Sequence, residues 1–410
     1  MQTVKLDEGL YRTSAENGVT VLSEVLPGVR SVSVGVWVRT ASAHEARSQM
    51  GVSHLLEHLV FKGTERRTAR EIALELEVRG GALDAFTSRD HTSYQARVLD
   101  EDLPRALDVL TDLVRHPVLR EGDLTLERKV VLEEISTVED TPDDLVFELH
   151  AAALWPDHPY GYSILGTRET VGQLAAEDLR QLHRRAYHPR HMVIAAAGSL
   201  NHEVLLKLLA RCGWFTCDGG PEPVPVSPVP PGARTERRVR RESAQVHLVM
   251  GTDTFPYRDR RRYALMLVNT VLGGGMSSRL FQRVREELGL AYAIYTFHSF
   301  YQHSGVTGVY VGTHPSTASQ AVDAIRVELE RMATEGLSAE QLAEAAQQLK
   351  GQVTLSLESP AARMHRLATL ALHHEPHRTI DQVRVEDVQS VTAEYLVPDR
   401  HTAVWLGPDV

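Results

Sequence analysis

The chain lacks any long uninterrupted hydrophobic run. No stretch approaches the ~18–20 uncharged apolar residues that a membrane-spanning helix needs. The N-terminal segment has neither the apolar core of a secretory signal nor the arginine-rich character of a transit peptide. The sequence therefore predicts no membrane segment and a protein that stays in the cytoplasm.

Signals for several other kinds of site are weak. Cys212 and Cys217 are the only cysteines, which are too few for a disulfide framework or a structural zinc site. Gly273–Gly275 is not followed by the Lys-Ser/Thr pair of a phosphate loop, so we expect a flexible loop there that touches extended peptide. The net charge of −10 argues against nucleic acid as a partner and favours neutral or cationic partners.

A proline-rich segment divides the chain into two halves. At 410 residues the chain is too long for one ordinary hydrophobic core. The prolines between Pro221 and Pro231 cannot continue a helix or a central strand. We therefore predict an N-terminal half at 1–215, a linker at 216–240 and a C-terminal half at 241–410.

The two halves repeat one order of elements. An alternating strand pattern is followed by an amphipathic helix in each, at 29–42 before the first helix and at 244–255 before a helix over 260–273. Long amphipathic helices over 102–117 and 317–334 close the halves. This order predicts an α+β fold in two homologous halves, each a mostly antiparallel sheet with helices packed on one face.

The sequence HLLEH places His54, Glu57 and His58 within two turns of one predicted helix. Two histidines four residues apart lie on the same helical face, so both imidazoles can bind one metal ion. This is the inverted zinc-peptidase pattern H-x-x-E-H, in which the glutamate activates water. A structural role is the better interpretation of a lone histidine, whereas the complete pattern favours a metal site.

A catalytic zinc ion needs a third protein ligand, for which the acidic residues of 124–149 are candidates. Glu127 and Glu134 are seven residues apart and share one helical face, while Glu133 points about 100° away. Spacing therefore selects Glu127 and Glu134 as an inward pair, but it does not decide which of them contacts the metal.

HLLEH together with the later E-R-x-V-V-x-x-E resembles the M16 metallopeptidase family. Within that family, the chain resembles the short branch that is similar to processing peptidases. In that family the third zinc ligand follows the second histidine at a set distance in the sequence. Here Glu134 lies at that distance from His58. The resemblance implies one zinc ion per chain, bound by His54, His58 and Glu134. It also implies Glu57 as the general base and Glu127 as a supporting carboxylate behind the ligands. Glu133 is the alternative ligand if the register shifts by one residue.

The resemblance extends to regions that would bind substrate. Residues 80–98 resemble the edge strand that pairs with a peptide, which implies that Asp84, Ala85 and Phe86 contact substrate. The family usually has asparagine where this chain has Asp84. Arg285 and Tyr292 resemble the family's substrate clamp, although each also fits an ordinary charged helix or a core strand. The chain length is similar to that of members that pair around a chamber, which implies a homodimer.

These observations predict a zinc-dependent endopeptidase that hydrolyses unfolded or short peptides inside a dimer chamber. Basic peptides are favoured as substrates because Glu133–Glu148 contains seven carboxylates and no basic residue. The alternatives are a non-catalytic scaffold or partner subunit of the same family and, less favoured, a zinc hydrolase that acts on a non-peptide amide.

Overall fold

Regular structure dominates the computed structural model, which describes residues 1–373, 380–408 and 410. The strands are β1 Gln2–Asp7, β2 Leu10–Ser14, β3 Thr20–Val25, β4 Ser31–Val38, β5 Ala82–Thr87, β6 Thr92–Leu99, β7 Met192–Gly198, β8 Glu236–Arg240, β9 Val246–Thr254, β10 Ala291–Phe300, β11 Gly305–Thr313 and β12 Thr402–Gly407.

The α-helices are α1 Val52–Val60, α2 Ala69–Glu77, α3 Leu103–Arg115, α4 Glu121–Asp140, α5 Pro142–Leu154, α6 Arg168–Gln173, α7 Ala176–Ala186, α8 His202–Arg211, α9 Arg261–Gly273, α10 Ala318–Glu335, α11 Ala339–Ser356, α12 Pro360–Leu372 and α13 Val385–Tyr395. The helices predicted over 102–117, 260–273 and 317–334 are confirmed as α3, α9 and α10. Among the described residues, no helix is both long enough and apolar enough to cross a membrane.

The strands form two sheets that share one five-strand topology. The first sheet has the order β1-β2-β3-β7-β4-β6-β5 and the second has the order β10-β11-β9-β12-β8. Pairing is parallel between β3 and β7 and between β8 and β12, and antiparallel elsewhere. Strands β3-β7-β4-β6-β5 thus repeat as β8-β12-β9-β11-β10. The prediction of two homologous, mostly antiparallel α+β halves is confirmed.

The main core of the first half lies between its sheet and one layer of helices. Alternate residues of β4, such as Val34 and Val36, point into this core together with Leu55, Leu56 and Leu59 of α1. Helices α3, α7 and α8 contribute further apolar residues to the same layer. Because side chains of a strand alternate between faces, the pattern of β4 fixes which sheet face α1 covers.

A helix from late in the sequence, α12, covers the opposite face of the first sheet. Met364, Leu367 and Leu372 of α12 pack against Trp37 of β4 and Leu22 of β3. Most helices thus lie on one face of the sheet, as predicted, and α12 is an addition that the sequence did not indicate.

The described chain forms two compact units that do not follow the sequence halves. Unit 1 contains residues Met1–Ile135 and Ser163–Val226 together with α12. Unit 2 contains Ser136–Tyr162 and Ser227–Leu355 together with α13 and β12. Helix α5 packs on β9 and β12 of the second sheet, much as α12 packs on β3, β4 and β7 of the first. Each unit thus includes one helix from the other half of the sequence.

The C-terminal end of the predicted linker is a strand. Residues Glu236–Arg240 form β8 and pair in parallel with β12. The sequence ERRVR shows no apolar alternation because β8 lies at the sheet edge and is almost entirely exposed. The prediction of a linker extending to residue 240 is therefore wrong at this end.

Candidate active site

Helix α1 carries the HLLEH residues, and its beginning is fixed by backbone geometry. Gly51 precedes the helix with φ of 89°, and a Cβ atom there would lie 2.5 Å from the carbonyl oxygen of Leu165. Only glycine adopts this conformation without strain. The buried carboxylate of Glu45 accepts hydrogen bonds from the backbone N–H groups of Gly51 and Ser53, at 2.9 and 2.8 Å. These bonds satisfy donors that the first turn leaves unpaired.

The structure brings His54, His58 and Glu134 together. The Nε2 atom of His54 lies 3.6 Å from Oε2 of Glu134, and Nε2 of His58 lies 3.6 Å from Oε1 of the same residue. One ligand atom from each residue lies within 4.8 Å of the others. Glu133, by contrast, is exposed and is not a member of this cluster in the described chain.

The spacing of these atoms fits a tetrahedral zinc site. Ligand atoms bound at ~2.0–2.1 Å in a tetrahedron are roughly 3.3 Å apart. The two 3.6 Å separations approach this value and exceed normal hydrogen-bond lengths. Burial and the adjacent His58 lower the pKa of His54 to about 4, so its imidazole is neutral near pH 7, as a metal ligand must be. Two imidazoles and one carboxylate are also a donor set typical of zinc enzymes.

A second carboxylate lies behind His58. Glu127 is 7% exposed, and its Oε2 atom lies 3.1 Å from Nδ1 of His58. This leaves Nε2 of His58 directed toward Glu134. The other oxygen of Glu127 forms an ion pair of 2.7 Å with Lys62. Hydrogen bonding of this kind fixes the orientation of a histidine ligand.

Lys62 is a site residue that the sequence analysis missed. Lys62 is four residues after His58, just beyond the end of α1. Residues four apart on a helix lie on the same face, and both side chains contact the carboxylate of Glu127. That spacing from the second histidine is the signal that could have identified Lys62 from the sequence.

Glu57 lies on α1 beside the histidines and is 9% exposed. Burial raises the pKa of its carboxyl group, and a hydrogen bond from Thr87 opposes this rise. In that bond the hydroxyl of Thr87 donates to Oε2 of Glu57 at 2.6 Å. A raised carboxyl pKa suits a general base that works near neutral pH. Thr87 was not singled out in the sequence, although it ends the predicted substrate strand.

Strand β5 is the last strand of the first sheet, and in the described part of the chain only its β6 side is paired. Asp84 is exposed, whereas Ala85 and Phe86 are half-buried. Ala85 packs against the main core. The ring of Phe86 stacks on His365 of α12 with centroids 5.9 Å apart. The strand is thus supported on both faces and, among the residues that the structure describes, its outer edge is unpaired.

Arg285 and Tyr292 lie next to each other in unit 2. Arg285 belongs to a π-helical segment, Phe281–Glu287, a rare form that often marks functional sites. Its guanidinium donates to the carbonyl oxygen of Tyr292 at 3.0 Å and lies 4.3 Å from the centre of the tyrosine ring. Tyr292 is 76% exposed, so it is not a core residue. The structure brings the predicted pair together, and its role as a clamp stays a prediction.

Comparisons with known proteins agree with this architecture. Residues 20–168 match the family model of insulinase (peptidase family M16), and residues 173–349 match the peptidase M16 inactive domain. The uncharacterized zinc protease YmxG of Bacillus subtilis is 39% identical over 386 residues, which cover 94% of this chain and 93% of the relative. An uncharacterized zinc protease of Streptomyces coelicolor is 37% identical over 400 residues, covering 94% and 87%.

Solved structures show the same fold. A protease from Helicobacter pylori has a TM-score of 0.89 at 21% identity, covering 97% of this chain and 99% of its own. A Pseudomonas fluorescens structure described as a peptidase M16 inactive domain has a TM-score of 0.91 at 20% identity, covering 98% of both chains. The two family models together span most of the sequence, and the relatives match nearly its full length. The chain belongs to the M16 peptidase family.

Proposed function

We propose that the protein is a zinc-dependent endopeptidase with one zinc ion per chain. The observation that carries this proposal is the convergence of His54, His58 and Glu134 around one point, with the carboxylate of Glu57 beside them. The three ligands would hold the ion, and Glu127 would keep the ring of His58 in place through Nδ1.

The chain supplies a proton carrier and a platform for the substrate. When bound, zinc supplies Lewis-acid polarisation of the scissile carbonyl and makes water more acidic. Glu57 takes the proton from the attacking water and later delivers it to the leaving amine. The free edge of β5 offers backbone N–H and C=O groups to an extended peptide, which adds as a further strand. Asp84, Ala85 and Phe86 would contact that peptide.

Substrate selection follows from this mode of binding. A peptide that adds to β5 must expose its own backbone groups, which a folded protein keeps in internal hydrogen bonds. Exposing them by global unfolding costs ~5–15 kcal/mol. We therefore propose unfolded segments and short peptides as substrates. The seven carboxylates of Glu133–Glu148 would favour peptides that contain arginine or lysine. Arg285 and Tyr292 are proposed to donate hydrogen bonds to peptide carbonyls.

The central experiment compares the purified protein, its Glu57→Gln variant and chelator-treated protein on a quenched fluorescent peptide. The wild type should cleave the peptide, chelation should stop cleavage and added zinc should restore it. Glu57→Gln should keep its zinc and lose ~10²–10⁴ in rate. A zinc-loaded wild type that cleaves no peptide would favour a scaffold. Hydrolysis of small amides alone would favour a non-peptide hydrolase.

A second experiment tests the proposed substrate class. One basic peptide, its neutral analogue and a folded domain that contains the basic sequence are incubated with the enzyme at low and high salt. We expect the basic peptide to be cut fastest at low salt, with the difference decreasing as salt screens charge. Rapid digestion of the folded domain would contradict binding by strand addition. Equal rates for the two peptides would remove only the charge preference.

The oligomeric state needs its own measurement. We propose a homodimer that encloses the reaction in a chamber, because one chain carries both the HLLEH residues and the Arg285–Tyr292 pair and needs no different partner. Light scattering at micromolar concentration should give twice the mass of one 45.6 kDa chain. A fully active particle with the mass of a single chain would contradict this.

A further inference from the structure

We propose that Thr87 is a positioning residue that holds the carboxylate of Glu57 relative to the peptide-binding edge of β5. The inference rests on the proposed function, because it gives Glu57 the role of general base. Its observation is the 2.6 Å hydrogen bond that Thr87 Oγ1 donates to Oε2 of Glu57. That bond joins the edge strand of the sheet to the helix that carries the histidines.

The alternation of β5 determines why this side chain reaches the helix. Leu83 and Ala85 pack against the main core that α1 shares, and Thr87 continues the same row two residues later. Phe86, in the other row, contacts His365 on the opposite face. Thr87 pairs with Thr92 of β6 in the last register of the hairpin. The position is thus fixed by the strand pairing and not by a mobile loop.

The hydrogen bond occupies one oxygen of a carboxylate that has two. With Oε2 held by the hydroxyl, rotation of the Glu57 side chain is restricted and the direction of Oε1 is set. A general base is effective only when its oxygen is within hydrogen-bond reach of the proton it accepts. A displacement of about 1 Å in such a group can cost on the order of 10²-fold in rate.

The same residue also belongs to the surface on which the peptide would add. A substrate strand is positioned by the backbone of β5, and the side chain of Thr87 holds the base by a bond from that same strand. Strand β5 would thereby position both the general base and the scissile bond. This arrangement predicts a defect in turnover, and not in peptide binding, when the hydroxyl is removed.

The test uses Thr87→Val, which keeps the branched shape and the preference for a strand but removes the donor. We expect kcat to decrease about 10-fold, with KM within twofold of the wild type and zinc content unchanged. Thr87→Ser, which restores a hydroxyl, should recover most of kcat. Peptide affinity measured by anisotropy should be the same within twofold for Glu57→Gln and for Glu57→Gln combined with Thr87→Val.

Thr92→Val is the matched control. Thr92 pairs with Thr87 across the hairpin, and its hydroxyl donates to the carbonyl oxygen of Thr40. It should keep the wild-type kcat. Wild-type kcat in Thr87→Val, an equal decrease in Thr92→Val, or no recovery with Thr87→Ser would each overturn the inference. A wild type whose activity does not depend on Glu57 would instead refute the proposed function.

Discussion

The two halves of the molecule place equivalent helices, α1 and α9, beside equivalent edge strands, β5 and β10, but the side chains between them differ. In the first half, α1 presents His54, Glu57 and His58 near β5. In the second half, residues 264–273 of α9 read ALMLVNTVLG and contain no ionisable side chain. The amide of Asn269 instead donates to Thr307 of β11 and to the carbonyl oxygen of Leu265.

The packing between helix and edge strand differs as well. Thr87 of β5 donates to a carboxylate of α1, whereas Thr296 of β10 donates to the backbone carbonyl of Asn269 in α9. A Cβ atom on Gly273 would lie 2.5 Å from the backbone nitrogen of Thr296. The second half closes the space that the first half fills with carboxylate and imidazole groups. One backbone arrangement therefore carries a cluster of ionisable side chains in one half and a packed core in the other.

The largest expected effect is the loss of zinc from the first half. His54→Ala and Glu134→Gln should each reduce zinc from one ion per chain to none at micromolar protein, because a site with two remaining ligands binds weakly. Zinc content after gel filtration, determined by mass spectrometry of the metal, measures this. Glu133→Gln is the control one residue away on the exposed side and should keep its zinc. Zinc retained in Glu134→Gln but lost in Glu133→Gln would move the third ligand.

A smaller effect on zinc binding is expected when Glu127, which lies behind the ligand His58, is changed. Glu127→Ala removes the partner of both His58 and Lys62 and should weaken zinc binding by ~10–100-fold. Competition with a chromophoric chelator gives the dissociation constant. Glu127→Gln keeps an oxygen that accepts from Nδ1 of His58 and should lose less. Equal affinity of Glu127→Ala and wild type would show that the carboxylate is dispensable for the metal.

The second half should respond in stability and not in zinc binding. Gly273→Ala forces a Cβ atom against β10 and should lower the free energy of unfolding by ~1–3 kcal/mol. Urea denaturation measures the loss, with zinc content expected to remain at one ion. The control is Gly351→Ala on α11, where a Cβ meets nothing within 4 Å. That change should raise stability by ~0.5–1 kcal/mol. An unchanged free energy of unfolding in Gly273→Ala would mean that α9 and β10 can move apart at little cost.

The last expected effect is a change in how the stability of unit 2 depends on pH. Burial lowers the pKa values of His150 and His401 in unit 2 to about 4. The unfolded chain binds protons at these residues below pH ~6.5, while the folded chain does not until about 4, so stability falls as pH decreases between these values. Each histidine contributes a slope of ~1.4 kcal/mol per pH unit. His401→Gln should reduce the slope of zinc-free protein by up to that amount. Above pH 7 the difference between variant and wild type should become constant, and a slope unchanged by the substitution would contradict the assignment.

Sequence spacing predicted those parts of the site that lie along single helices. His54 and His58 follow from their four-residue spacing, and Glu57 follows from the H-x-x-E-H pattern. Glu127 and Glu134 follow from their seven-residue spacing, because helical geometry converts spacing into direction. The structure places these residues in one cluster. Thr87 was not predicted because its partner is on a different element and a lone threonine carries no signal.

For a similar reason, the hydrophobic pattern of the sequence could not predict which helices pack on which sheet. Amphipathic spacing tells which face of a helix is buried, but not which sheet covers it. Helices α5 and α12 each pack on a sheet that belongs to the other half of the sequence, and nothing in their composition indicates this. The fold class was predictable because alternation and helical periodicity are local properties.

The reciprocal placement of α5 and α12 makes the proline-rich segment an unsuitable place to separate the protein into working parts. A polypeptide ending near residue 226 would lack α12, and its sheet would expose Trp37 and Leu22 to water. The complementary polypeptide would lack α5 and expose Val249 and Val404. Each fragment would contain a helix that packs on the sheet of the other fragment. We therefore expect the N-terminal fragment to fold when it is co-expressed with the C-terminal fragment, and not when it is expressed alone.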